Sequence, residues 1–310
     1  MGSLHRPRHG SLQFWPRTRA EKEIPSVNWK ALYNSPAKNH LLGFVCYKVG
    51  MKSILVKDNT PNSMTKGKSI VVPVTILECP ALKVFSIRLY KNNQVVGEIL
   101  SSSFEKEIKR RMKMPKNAKN EERDFDDARI IAYSLVKRTE IKKSPDIMEI
   151  GLKGSPQEKL EFAKSILNRE INFDEFFDKN QLIDIHAVTK GKGLSGPVKR
   201  FGITLKPHKS EKGIRRPGSL GPWHPARVTF RVAMAGQTGY FTRVKYNNKI
   251  ISFGKEMPVE FMHYGKIKTN YVIVKGSVQG PAKRAVAITS ALRPKKITAK
   301  ENFEFVKIIS

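Results

Sequence analysis

The chain has 310 residues, with 58 lysines and arginines against 27 acids, a formal charge of +31. Hydrophobic residues make up 39%, enough for a core, yet one uncompensated positive charge falls on every ten residues. Self-repulsion of that size weakens a compact chain unless a polyanion neutralises it, which argues against a free soluble enzyme and points first to nucleic acid, second to an anionic membrane surface.

Residues 1–19 hold four arginines (Arg6, Arg8, Arg17 and Arg19) and no acid. They lack the apolar stretch of a secretory signal, and no run of about 18 apolar residues follows anywhere to span a membrane. Residues 1–40 read as an extended, irregular arm. Prolines, arginines, His9, Phe14 and Trp15 alternate there without helical or strand periodicity. A basic tail of this kind is expected to order on RNA. Cys46 and Cys79 have no CxxC spacing, so they read as buried thiols of a reducing cytoplasm and not as a disulfide scaffold.

Strand patterns begin near residue 41. Leu41–Val49, Ser53–Asp58 and Ser69–Glu78 are short, branched and apolar, separated by Gly, Asn and Pro. Val84–Tyr90 and Gln94–Leu100 flank Lys91-Asn92-Asn93, a hairpin turn, because Asn tolerates the left-handed region. Residues 104–113 suggest a short basic helix, too short and too weakly apolar to lie on a membrane. Arg129–Lys137 and Ile147–Leu152 read as strands. Ser155-Pro156-Gln157-Glu158 starts a helix running to about Asn168, with a serine cap, a proline in the first turn and a returning glutamate. Asn172 and Glu175 offer a second, shorter box. Acids cluster between 121 and 178, so this section resembles an α+β insert of ordinary charge balance.

From Ile185 to Lys255 there are fifteen bases and one acid, Glu211. A solvated surface would mix the signs. Within this tract, residues 202–222 carry four glycines and three prolines, which exclude a helix or a central strand. Such a stretch exceeds the roughly 12–15 residues of an ordinary connection. Strands are expected on both sides: Gln181–Val188 before it, and Ala226–Ala235, Tyr240–Tyr246, Lys249–Phe253, Asn270–Lys275 and Ala285–Leu292 after it. Asn247-Asn248 reads as a hairpin turn.

Gly191-Lys192-Gly193-Leu194-Ser195-Gly196 fits GxGxxG, but a dinucleotide site needs a long helix next, and Pro197, Gly202 and Pro207 stand in its way. An RNA-modifying enzyme with a nucleotide cofactor at Gly191–Gly196 is therefore the weaker alternative. The stronger reading is close approach of main chain to phosphate at Gly191, Gly193 and Gly196, with Lys190, Lys192, Lys199 and Arg200 neutralising it. Gly67-Lys68-Ser69 fails as a phosphate loop because Asn62 replaces the required glycine. The seven histidines show no metal-ligand spacing, and no catalytic motif occurs. No metal, cofactor or small-molecule substrate is expected. Gly221-Pro222-Trp223-His224-Pro225 places an indole in a loop with little core to enter. Unstacked RNA bases stack on such a ring while Arg215, Arg216 and Arg227 hold phosphates.

Phe177, Asp184, Ala187, Thr189, Gly191-Lys192-Gly193, Gly196 and Arg200 together resemble the signature of the ribosomal protein L3 family of the large subunit. Gly221–Ala226 is similar to the tryptophan finger of its archaeal and eukaryotic members, Arg231–Gly239 to the finger's return, and Pro7–Leu12 to their N-terminal arm. The length resembles the archaeal type. The resemblance implies a mainly β fold: a translation-protein-type β-barrel carrying an α+β insert, an extended N-terminal arm and a long basic central finger. The expected boundaries are 1–40 for the arm, 41–82 for the first part of the barrel, 83–180 for the insert, and 181–310 for the second part, with the finger at 202–226. It further implies a non-enzymatic, cytoplasmic constituent of the large subunit that supports early assembly and extends its finger toward the peptidyl-transferase region, with neighbours L14 and L24e. The residues expected on rRNA are Arg6, Arg8, His9, Trp15, Arg17, Arg19, Lys190, Lys192, Lys199, Arg200, Lys206, His208, Lys209, Lys212, Arg215, Arg216, Trp223, His224, Arg227 and Arg231.

Overall fold

The computed structural model describes residues 10–35, 40–114 and 124–309. Strands dominate them: β1 (Gly43–Asp58), β2 (Ser69–Glu78), β3 (Leu82–Lys91), β4 (Gln94–Leu100), β5 (Asp127–Ser134), β6 (Ile147–Gly151), β7 (Glu170–Ile171), β8 (Leu182–Val188), β9 (Leu194–Ser195), β10 (Gly236–Gln237), β11 (Thr242–Phe261), β12 (Gly265–Lys275), β13 (Ala285–Ser290) and β14 (Phe303–Ile309). The α-helices are short: α1 (Trp29–Leu32), α2 (Pro156–Ile166), α3 (Pro197–Phe201) and α4 (Lys296–Lys300). The expectation of a mainly β chain is met. The chain divides into two compact units, Met1–Lys22 with Val188–Thr242 and Glu23–Ala187 with Arg243–Ser310.

The larger unit holds a seven-stranded sheet in the order β13-β8-β11-β12-β2-β1-β14. β1 also pairs with β13, so the hydrogen-bonded path returns to its first strand. The length of β1 makes this feasible. One of its edges serves β2 along Tyr47–Lys57, while the other serves β13 along Gly43–Tyr47 and β14 along Ser53–Asp58. Leu41–Val49 and Ser53–Asp58 are therefore one strand and not two. The first five residues of β1 are all buried, as in a strand covered on both faces.

A second sheet has the order β4-β3-β5-β6, with β7 beside β3. The expected hairpin turn at Asn92-Asn93 is present, with both residues at positive φ (50° and 67°), the pair of left-handed residues a two-residue hairpin requires. The capping box that opens α2 is also formed: Ser155 Oγ accepts from the Glu158 N–H, and Glu158 Oε2 accepts from the Ser155 N–H. Trp29 of α1 seals the layer below. Its side chain lies 2.6 Å and 2.7 Å from where a Cβ would stand at Gly43 and Gly151, so both positions need glycine for space and not for backbone freedom.

Several expectations fail for identifiable reasons. Residues 104–113 form only a 3-10 turn at Lys106–Arg110, with Ile108 buried. The Arg129–Lys137 pattern leaves strand geometry after Ser134 and becomes a 3-10 turn at Val136–Thr139. Asn247-Asn248 is not a hairpin turn, because β11 runs through it. Asn247 takes φ 57° inside the strand, and the Asp184 carboxylate accepts its N–H at 2.7 Å and that of Leu292 at 2.9 Å. A left-handed asparagine serves an irregular step as readily as a reversal when a neighbouring side chain takes up the displaced donor. Ala226–Ala235 alternates like a strand but has no strand beside it, and a ladder needs two partners. α1, α4 and β14 had no clear pattern in the sequence.

One buried polar knot ties the larger unit together. Between the pairs Lys255↔Asn270 and Met257↔Ile267 the β11–β12 register shifts, leaving the Lys268 and Thr269 N–H groups off that ladder. Glu78, fully buried at the end of β2, accepts both at 3.0 Å, together with the Thr269 hydroxyl at 2.9 Å. The Tyr264 hydroxyl donates to its other carboxylate oxygen. Burial, and then the Glu78 charge, hold that phenol far above its ordinary range.

His186 on β8 gives this unit a pH dependence. Burial lowers its pKa from 6.5 to about 4, and the only hydrogen bond to its ring among the described residues is with the Thr289 hydroxyl at 3.3 Å. Below pH 6.5 the unfolded chain binds a proton that the folded chain refuses, so this contribution to stability is present above the unfolded pKa and declines as pH falls toward 4. The expected loss between pH 7 and pH 5 is about 2 kcal/mol. Urea unfolding at the two pH values measures it, and His186→Gln should remove most of the difference.

Candidate nucleic-acid interface

The smaller unit joins two stretches that are distant in the chain. At its base, residues 189–195 and 236–241 run antiparallel. Thr189 N–H donates to Phe241 O (2.9 Å), Lys192 N–H to Thr238 O (2.9 Å) and Thr238 N–H to Gly193 O (2.9 Å), and β9 pairs with β10. Thr189 Oγ1 accepts from the Phe241 N–H at 3.0 Å. Gly239, at φ 71°, cannot be replaced, because a Cβ there would stand 2.1 Å from Lys190 O. The glycine run is thus one side of a ladder. The helix after it, α3, has five residues and ends at Gly202 in the left-handed conformation (φ 63°), far short of the helix a dinucleotide site uses.

Within this run, a Cβ placed at Gly193 (φ 63°) or Gly196 would have no atom within 4 Å, whereas one at Gly191 would meet the Tyr240 ring at 3.4 Å. The main chain is open at Gly193 and Gly196. Lys190, Lys192 and Lys199 are exposed around it. Arg200 faces the other way. Its Nε donates to Gln237 O and its Nη1 to Met234 O, both at 3.0 Å, and its guanidinium fills the space beside Gly236. It fastens the returning strand, and burial lowers its pKa.

The arm lies against this base. The Ala20 N–H donates to Tyr240 O at 2.9 Å, and the Arg17 guanidinium stands 4.5 Å over the Phe201 ring while donating to Ser11 O at 2.8 Å. Trp15 packs on Phe230, with ring centroids 4.9 Å apart. Arg19 is exposed. Arg6, Arg8 and His9 lie outside the described residues. This meeting of residues 11–20 with residues 201–240 was invisible in the sequence, because neither stretch has periodicity and about two hundred positions separate them.

Residues 203–235 form no strand or α-helix. Their main-chain bonds are local: Lys206 N–H to Ile214 O and Ser210 N–H to Pro207 O, both 3.0 Å, and Val232 N–H to Thr229 O at 3.2 Å. His208, Lys209, Lys212, Arg215, Arg216, His224, Arg227 and Arg231 are exposed, and Lys206 is half-buried. Trp223 is 86% exposed, with no packed surface under its ring. Many cations and a free indole stand on a backbone that buries almost nothing, which suits the tract to gripping a polyanion and to little else. Among the described residues there is no group of three or more side chains that could hold a metal, and no helix is long and apolar enough to cross a membrane.

The remaining signature residues build the frame. Phe177 stacks on Phe173 at 4.7 Å, Asp184 takes up the Asn247 and Leu292 donors, and Ala187 is buried on β8.

One unit is built of long strands, and the other carries a cationic tract without a core of its own. The sequence model of the family described as Ribosomal protein L3 matches residues 1–125 and 103–308. Among curated relatives, the chain is 39% identical to large ribosomal subunit protein uL3 of Methanospirillum hungatei, over 94% of each chain. It is 39% identical to uL3 of Archaeoglobus fulgidus, over 98% of this chain and 96% of that one. It is 40% identical to uL3 of Methanosphaera stadtmanae, over 96% and 95%. The chain belongs to the ribosomal protein L3 family, whose members are structural, non-enzymatic constituents of the large ribosomal subunit, a cytoplasmic ribonucleoprotein.

Proposed function

We propose that this chain binds large-subunit rRNA, supports early assembly of the subunit and carries a basic finger, tipped by Trp223, toward the peptidyl-transferase region. The observation that carries this reading is the exposed cationic tract at 203–235, which has neither a ladder nor a core of its own. A segment so built gains its order from a partner, and its charge selects a polyanion. Neutralising phosphates releases counterions and supplies most of the affinity, while the indole stacks on an unpaired base. The open main chain at Gly193 and Gly196, with Lys190, Lys192 and Lys199, forms a second phosphate contact. Lys206, His208, Lys209, Lys212, Arg215, Arg216, His224, Arg227 and Arg231 line the finger. Trp15, Arg17 and Arg19, with Arg6, Arg8 and His9, extend the surface along the arm.

In this reading the returning path of the seven-stranded sheet is a translation-protein-type barrel, the second sheet with α2 is its insert over about 83–180, and L14 and L24e are its protein neighbours. The test is crosslinking in intact large subunits, mapped to residue and nucleotide. Crosslinks from the finger to rRNA near the peptidyl-transferase region are expected. Crosslinks confined to the larger unit, with 203–235 facing solvent, would refute the finger's role.

A further inference from the structure

Cys46 lies on β1, and Cys79 directly follows β2. The antiparallel register sets Tyr47 against Glu78, so one further step sets Cys46 against Cys79. Both side chains are fully buried in the same core cluster; they stand there as two thiols whose Sγ atoms are in contact, 2.6 Å apart. Directly opposed residues on antiparallel strands have Cα atoms about 4.5–5.5 Å apart, within the roughly 4.4–6.8 Å that a disulfide spans. Sequence spacing alone concealed this, because thirty-three positions separate the two residues.

We propose that Cys46 and Cys79 are joined as a cross-strand disulfide that staples β1 to β2. The oxidant is a small-molecule disulfide. One cysteine thiolate attacks a sulfur of that molecule and expels its first half as a thiolate. The second cysteine thiolate then attacks the mixed disulfide and expels the other half. Two protein thiols are oxidised, one small disulfide is reduced to two thiols, and the two cysteine protons pass through water to the leaving thiolates. The exchange belongs to the stage when the strands are still open. In the folded chain burial lifts the Cys79 thiol well above its ordinary range, and the surrounding core excludes the reagent. Once formed, the bond sits where small reductants do not reach.

The test uses the wild-type protein, both purified alone and taken from large subunits. It is denatured in acid, alkylated with iodoacetamide without reductant, digested and weighed. The expected product is one intramolecular Cys46–Cys79 peptide pair that yields two alkylated peptides only after reduction. Reduction in denaturant followed by refolding should lower the thermal midpoint by roughly 5–10 °C. Two alkylated cysteines before any reduction, or a linked dimer in place of the internal pair, would overturn the proposal. An unchanged midpoint would overturn the stapling role.

Discussion

Replacing Lys206, Lys209, Lys212, Arg215 and Arg216 together by glutamine is expected to weaken rRNA binding by about 10³–10⁴-fold near 0.1 M salt. Each phosphate contact contributes about 0.7–0.9 to the slope of log K against log salt, so five lost contacts flatten it by about 3.5–4.5. The fold should survive, because these side chains lie on a tract without core or ladder. Trp223→Ala tests the other half of the finger. It should cost about 1–3 kcal/mol of binding through lost stacking and leave the salt slope unchanged. Filter binding to a large-subunit rRNA fragment over a salt series measures both. A five-fold substituted protein with the parental slope would show that the finger does not lie on phosphates.

Glu78→Ala is expected to destabilise the larger unit by about 3–5 kcal/mol, among the heaviest effects open to one side chain here. The carboxylate receives two main-chain N–H groups and two hydroxyls at a step where the β11–β12 ladder has slipped, and alanine would leave all four without this acceptor. Tyr264→Phe removes one of these donors and should cost about 1 kcal/mol. Urea unfolding gives both numbers. The midpoint should move while the slope holds, since the surface exposed on unfolding hardly changes. A Glu78→Ala protein as stable as its parent would mean that water replaces the carboxylate and the site is not sealed.

What could be read from the sequence divides along a physical line. Local chemistry was legible: the serine–glutamate box before α2, the Asn92-Asn93 turn, and the charge excess of 185–255 with its glycines and prolines. Each depends on residues a few positions apart. What failed depended on a neighbour supplied from elsewhere. Asn247-Asn248 looks like a reversal until Asp184 arrives to satisfy its donor. Ala226–Ala235 looks like a strand until it is found without a partner. Arg200 stands in a basic run, and that its Nε and Nη1 donate to carbonyls of the returning strand could not be read from its spacing. Cys46 and Cys79 are the buried thiols the sequence indicated, but their meeting is set by strand register and by nothing in their spacing.

The smaller unit has a consequence for biosynthesis. Its first segment is made well before the main-chain acceptor for Ala20, Tyr240, which follows more than two hundred residues later. For most of the time the polypeptide is growing, the arm has no protein surface on which to settle, and its arginines and Trp15 are at large. The contacts of Ala20, Arg17 and Trp15 with Tyr240, Phe201 and Phe230 can therefore close only late in synthesis.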